Sequence, residues 1–246
     1  MAKLTVKKII GRSVLTFIIL LTIFLVLNFK TSFFCLTNQK VTGIKVLTKE
    51  QILLASGVKS DDNIFITSSK TLAKNIEKHP YVKTAKVSKR LPNTIQIQVQ
   101  EREEFVEIRQ EDFFVYIDED GRVLKAVTEK IDRELPILEG LAVKKSTTGE
   151  VIEFQEKVEI QKIISLMTAL KSKGLENQIK KIAFKANFNV EISLEHLKVA
   201  FGELDDIQYK VSFLDEILKK LEEKGLEKGV LHFDKGKNPV FLQEEM

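Results

Sequence analysis

The chain has one cysteine, no tryptophan, three histidines and four prolines in 246 residues. A single thiol excludes an internal disulfide framework and any zinc cage built on cysteine. His79 precedes a proline, His196 falls at a turn and His232 within a strand-like run. None has a second His or Cys at ligand spacing, so no metal site is expected. There is no Gly-rich phosphate loop, no Gly-x-Ser-x-Gly and no His-Glu-x-x-His. Acid is missing from one region: residues 1–40 hold Lys3, Lys7, Lys8, Arg12, Lys30 and Lys40 and no Asp or Glu. The remainder carries 33 basic and 35 acidic side chains, so the formal net charge of +4 belongs to the N-terminus. A near-neutral body with interspersed signs gives no footprint for nucleic acid. At 43% hydrophobic and 30% charged residues, the chain is neither a disordered tail nor a multi-span membrane protein.

What the chain does have is one long apolar run. Ser13 to Phe29 are 17 residues without a charge. At ~1.5 Å per residue they cover about 26 Å, slightly short of a ~30 Å hydrocarbon core. Arg12 and Lys30 can snorkel to the headgroups, and Phe33, Phe34 and Leu36 prolong the apolar stretch. The expectation is a cytoplasmic leader over 1–12 and a transmembrane helix over 13–33 in contact with the lipid bilayer. The basic residues before Ser13 place the N-terminus in the cytoplasm and the rest outside. A cleaved signal peptide shares the basic start. However, Thr31-Ser32-Phe33-Phe34-Cys35-Leu36 offers no small-x-small site, and Phe34 occupies the position where a lipoprotein needs a small residue. A retained anchor and an inert Cys35 follow.

Beyond the anchor, the patterning is α+β. Residues 48–57 form a short helix with Thr48 as N-cap, Gln51 three residues on and Gly57 as the stop. A second helix runs from about Ser69 to Lys78, ended by Pro80. A strand over 81–87 is followed by a clearer one from Thr94 to Val99, in which Ile95, Ile97 and Val99 alternate with Gln96, Gln98 and Gln100. The turn at Leu91-Pro92-Asn93 joins them. With an extended stretch near 36–41, this gives β-α-α-β-β. In the second half, Phe113–Ile117 and Arg122–Leu124 flank Asp118-Glu119-Asp120-Gly121 as a hairpin. A helix from about Gln155 to Ser172 and another from about Asp205 to Glu223 carry apolar stripes. Strands are expected at 182–184, 188–194, 197–201, 230–233 and 240–242. The acid-rich stretch from Glu101 to Asp112 reads as a solvated hairpin edge.

Two short motifs suggest chemistry and do not carry it. Ser56-Gly57-Val58-Lys59 matches the Ser-x-x-Lys of acyl-serine enzymes, but with 12 Ser and 33 Lys such a match is expected by chance, and no Ser-Asp-Asn or Lys-Thr-Gly accompanies it. Asp118-x-Asp120-Gly121 hints at a calcium loop, yet Arg122 follows where an acidic ligand belongs. No cofactor and no catalytic residue is expected.

The run from His79 to Arg102, HPYVKTAKVSKRLPNTIQIQVQER, resembles the signature of the bacterial division proteins FtsQ and DivIB. Pro80, Val82, Ala85, Val87, Arg90, Pro92, Thr94, Ile95, Ile97, Val99, Glu101 and Arg102 fall on that pattern. Asp118 and Gly121 follow at the family's spacing, then Leu135-Pro136-Ile137-Leu138-Glu139-Gly140. Three features depart from the pattern: the leader is short, Glu103-Glu104 replaces a proline, and His232 stands where relatives often have Asp.

The resemblance implies an N-terminal transmembrane helix, a POTRA domain over 34–103 and a C-terminal antiparallel-sheet β domain with two helices over 104–246. It implies a non-enzymatic divisome scaffold in the cytoplasmic membrane at the division septum. Its partners would be FtsB (DivIC) and FtsL, and it would coordinate septal peptidoglycan synthesis. The rival reading is a POTRA module for protein transport or outer-membrane assembly. In the family, FtsB pairs as an added strand after the strand that holds His232 here. By position this falls on Gly236, Asn238, Pro239, Val240, Phe241 and Leu242, with Phe241 as the side-chain anchor. The last apolar run suits a sheet edge, and Pro239 suits its start. Packing of the triplet Val240-Phe241-Leu242 on its own domain's last helix is the competing expectation.

Overall fold

The computed structural model describes residues 2–30, 32–131, 134–226, 228–235 and 238–243, with the side chains of 2–10, 27–30 and 32 left outside that description. The chain divides into two compact units, Met1–Glu101 and Arg102–Met246.

The first unit begins with α1 (Ala2–Lys30). Side chains 11–26 of this helix are exposed on every face, although most are Ile, Leu, Val and Phe. The helix stops short of the expected end at 33. Ser32–Phe34 is a 3-10 turn instead, because Phe34 packs on Phe65 rather than extending the helix. The Lys3, Lys7, Lys8 and Lys30 side chains of the expected anchor lie outside the described residues. Among the described residues no helix is long and apolar enough to cross a membrane.

The rest of this unit is β1 (Asn38–Thr42), α2 (Lys49–Ser56), α3 (Ser69–Ile76), β2 (Val82–Arg90) and β3 (Thr94–Glu101). The sheet order is β1-β3-β2, with β1 parallel and β2 antiparallel to β3. The α2 helix starts because Thr48 and Gln51 form a capping box, each side chain accepting the other's backbone N–H. It ends at Gly57, whose φ of 74° suits a residue without Cβ. The dry face of β3 is buried as its alternation requires: Ile97 and Val99 pack with Ile52, Ile76 and Val82, and Ile95 with Leu36, Ile64 and Leu72. His79 sits at the turn into β2, where its Nδ1 accepts the Tyr81 N–H at 3.3 Å. Burial lowers its pKa from the ordinary 6.5, against a smaller opposing pull from Glu101.

In the second unit come β4 (Val106–Arg109), β5 (Phe114–Ile117), β6 (Val123–Val127), β7 (Ile137–Glu139), β8 (Val143–Lys145) and β9 (Glu153–Phe154). Then follow α4 (Ile160–Ser172), β10 (Lys181–Phe184), β11 (Val190–Ser193), β12 (Leu197–Gly202), α5 (Ile207–Glu223), β13 (Gly229–His232) and β14 (Val240–Gln243). Nine strands form one sheet in the order β14-β13-β12-β11-β10-β7-β4-β5-β6. Both helices bury their stripes in one core with the inner face of this sheet.

Three expectations are corrected here. The sheet is mixed rather than antiparallel: β4–β7, β7–β10 and β12–β13 are parallel pairs. Parallel neighbours need long crossovers, and α4 and α5 lie in two of the connections. The helix expected from Gln155 begins at Ile160, because Glu153–Phe154 pairs with β8 and Phe154 is buried. Only part of the acid-rich stretch is solvated, namely Glu103, Glu111 and Asp112. Its strand β4 lies inside the sheet, and Glu107 is 0% exposed, accepting the Tyr116 hydroxyl at 3.2 Å.

The buried face of β3 gives a contrast. Ile97→Asp puts an unpaired charge in the core and should lower the melting temperature steeply. Gln98→Asp on the exposed face should change stability by ~0.5 kcal/mol or less. Equal shifts would refute the face assignment. His79 gives a second test, whose sign follows from its lowered pKa. A group whose folded pKa is depressed stabilises fully above its unfolded pKa and loses that contribution as pH falls through the folded value. Between about pH 7 and 5, therefore, the native chain should lose more thermal stability than His79→Gln. Parallel pH profiles would contradict this.

Candidate functional site

The expected C-terminal segment forms the end of the nine-stranded sheet. After α5 the chain enters β13 beside β12, then turns back antiparallel as β14. The pairs are Gly229↔Gln243, Val230↔Leu242, Leu231↔Phe241 and His232↔Val240. Among the described residues, no strand lies on the other side of β14.

The triplet is split by the pleat. Phe241 packs against the core, whereas Val240 is 43% and Leu242 48% exposed. Phe241, expected as the side-chain anchor, thus faces the core, while Val240 and Leu242 face outward. Asn238 is exposed and Pro239 half-buried just ahead of the strand; Gly236 lies outside the described residues. Register adds neighbours that the sequence kept apart. Leu242, Val230 and Lys198 stand in one row, and Val240, His232 and Ala200 in the next. Only strand pairing reveals that mixed face, in which Leu242, Val230, Val240 and Ala200 stand with Lys198 and His232, because its members come from three separate runs. His232 Nδ1 lies 2.9 Å from Asp234 Oδ1 beside it.

Gly229 permits this close pairing. A Cβ there, at φ +155°, would come within 2.5 Å of the Leu242 carbonyl oxygen and 2.7 Å of the Phe241 ring.

The two motifs set aside on sequence grounds have structural roles. The Ser56 hydroxyl is buried and donates to the Leu53 carbonyl at 2.6 Å, while it accepts the Val58 N–H at 3.1 Å. Both bonds belong to the end of α2, and neither reaches Lys59. Asp118 closes the hairpin turn, its Oδ1 accepting the Asp120 and Arg122 N–H groups at 2.9 Å each. Arg102 binds both Asp118 and Asp120. Its burial opposes the charge, but the hydrogen bonds and charges of those two carboxylates outweigh it and raise its pKa. A guanidinium thus occupies the position a cation would need. Among the described residues, no group of three or more His, Cys, Asp or Glu could hold a metal ion.

Residues 37–102 match the family model described as POTRA domain, FtsQ-type, and residues 107–234 match Cell division protein FtsQ/DivIB, C-terminal. Cell division protein DivIB of Clostridium botulinum (strain Hall) is 28% identical over 239 residues, covering 97% of this chain and 93% of its own. Cell division protein FtsQ of Geotalea daltonii is 25% identical over 199 residues, covering 78% and 70%. A solved structure of the major extracytoplasmic domain of DivIB from Geobacillus stearothermophilus has a TM-score of 0.33 and 15% identity over 50% of this chain and 97% of that one, a likeness too slight to bear on the fold. The C-terminal family match ends at residue 234, before β14 begins.

Because nothing larger than hydrogen fits at residue 229, Gly229→Ala should push β14 off β13 and cost ~1–3 kcal/mol. Hydrogen exchange should then quicken at the amides of β13 and β14 and stay slow in β10 and β11. Unchanged protection of β13 and β14 would count against the close pairing.

Proposed function

The chain belongs to the FtsQ/DivIB family of cell division proteins, and from that premise we propose that it is a non-enzymatic divisome scaffold of the cytoplasmic membrane. It binds FtsB (DivIC) and FtsL and so coordinates septal peptidoglycan synthesis. The observation that carries this reading is β14, four residues long, terminal in the sheet and bearing two exposed apolar side chains. An unpaired edge offers main-chain N–H and C=O groups to an incoming strand, and the exposed Val240 and Leu242 side chains give that strand apolar contacts. The partner strand lies along β14, with Val240 and Leu242 as its side-chain contacts.

The anchor belongs to the same proposal. A helix that is apolar and exposed on all faces is unstable in water and suits a lipid phase. In α1 the hydroxyls of Thr16 and Thr22 bond back to the carbonyls of Arg12 and Ile18, as polar groups must where water is excluded. With the basic side preceding it, the N-terminus is cytoplasmic and both later regions lie outside.

Depletion in the source bacterium should give filaments or chains of undivided cells, reversed by the full chain. A chain ending at Pro239, or Leu242→Glu in the full chain, should reach the membrane yet fail to capture the FtsB-type partner and fail to restore division. Val240→Thr, which keeps the main chain and most of the side-chain volume, should restore both. Normal division at full depletion would sink the division role. Undiminished capture by the shortened chain would place the partner site elsewhere.

A further inference from the structure

Just beyond α1 the chain builds a clasp. Leu36 donates its N–H to the Asp62 carbonyl and Ile64 donates to the Phe34 carbonyl, each at 2.9 Å, while Cys35 bridges Asn63. These pairings hold residues 62–64 against 34–36, the stretch that follows the helix. Leu36 and Ile64 point inward and are buried with Leu72 and Ile95. On the other side, Phe33, Phe65 and Ile66 are exposed, Ile66 to 72%.

Two features separate this patch from scattered surface hydrophobics. The first is its continuity with α1. The Phe65 ring lies 5.0 Å from that of Phe34 and 6.1 Å from that of Phe24. Phe24 stands six positions before Lys30, which is about 9 Å along a helix axis. A loop that touches Phe24 therefore lies deeper than the helix end. The second feature is the loop's own hydrogen bonding. Asn63 Oδ1 accepts the Phe65 N–H at 2.9 Å, and the Asn63 carbonyl accepts the N–H groups of Ile66 and Thr67 and the Thr67 hydroxyl. The donors at the tip are satisfied within the turn, which is the condition for placing irregular backbone near hydrocarbon.

We propose that residues 63–67 insert Phe65 and Ile66 into the interfacial region of the outer leaflet, as a second membrane contact beside α1. This rests on the reading of α1 as the membrane anchor. Aromatic and aliphatic side chains on a turn free of unpaired donors suit the boundary between headgroups and acyl chains. Asp61 and Asp62 precede the tip, so the attraction is apolar and needs no anionic lipid. The contact sets how the first unit stands on the bilayer.

The absence of tryptophan makes the test direct, since one introduced tryptophan is the only one in the chain. The full chain is reconstituted in phosphatidylcholine vesicles with Ile66→Trp, with Ile19→Trp in α1, and with Leu54→Trp at an 84% exposed position on α2. Emission is compared in ordinary lipid and in lipid brominated both near the carbonyl end and near the methyl end of its chains, so that the interface and the bilayer middle are both probed. Ile66→Trp should emit to the blue of Leu54→Trp and lose about half or more of its intensity in brominated lipid, while Leu54→Trp loses none. Quenching of Ile19→Trp without quenching of Ile66→Trp overturns the second contact and leaves the anchor standing. Equal quenching of Leu54→Trp and Ile66→Trp overturns it too, because the contact would not be local to the loop. An unquenched Ile19→Trp overturns the anchor reading, and this proposal with it.

Discussion

A nine-stranded open sheet has two faces and two edges to account for, and this constraint arranges the second unit. One face is covered by α4 and α5, whose apolar stripes join a single core with the strands. One edge, β6, is partly occupied: Val123 donates to the Glu150 carbonyl and accepts from the Gly149 N–H, both at 2.8 Å. The other edge is β14. Exposed edges are prone to unwanted pairing, and proteins commonly blunt them with prolines, charges or short strands. Here Pro239 precedes a strand of only four residues, yet Val240 and Leu242 bring no charge to it.

The interior position of β4 has its own cost, which explains the charges there. Register places Glu107, Tyr116 and Lys125 in one row across β4, β5 and β6. Tyr116 donates to Glu107 and accepts the Ile131 N–H at 3.2 Å. Lys125 Nζ lies 2.7 Å from Glu104 Oε1 and 4.5 Å from the centre of the Tyr116 ring. Burial, with Glu107 and Glu104 nearby, raises the Tyr116 pKa, so the phenol keeps the proton it donates. A slip of one residue would turn this row into the apolar core, which ties these three strands to one register.

This also explains what the sequence could and could not reveal. Local signals were legible. The Thr48–Gln51 box, Gly57, the alternation of β3 and the Asp118–Gly121 turn each act within a few residues. The chemistry of β4 was not legible, because a run rich in Glu looks solvated until Lys125 and Tyr116 are known to face it. The start of α4 was missed since β9 takes Phe154 into the core before the helix begins. At the site, a terminal apolar strand was readable at 240–242. Its inward Phe241 and its neighbours Val230, Ala200 and Lys198 depend on pairing across β12, β13 and β14, and no local pattern encodes that.

The most charged part of the resemblance turns out to be architectural. Glu101 accepts the N–H groups of Val46 and Leu47 at 2.8 and 3.0 Å, bracing the entry to α2. Arg102, its neighbour in sequence, binds Asp118 and Asp120 in the second unit. Two adjacent side chains of opposite charge are thus each committed to their own unit, and the junction is formed without a glycine or proline linker. The body of the chain is near neutrality, with 33 basic and 35 acidic side chains after residue 40, so long-range attraction by net charge is small. Under the proposed reading, recognition rests on main-chain hydrogen bonding at β14 and on the side chains of Val240 and Leu242. A site of that kind is specified by strand geometry more than by residue identity.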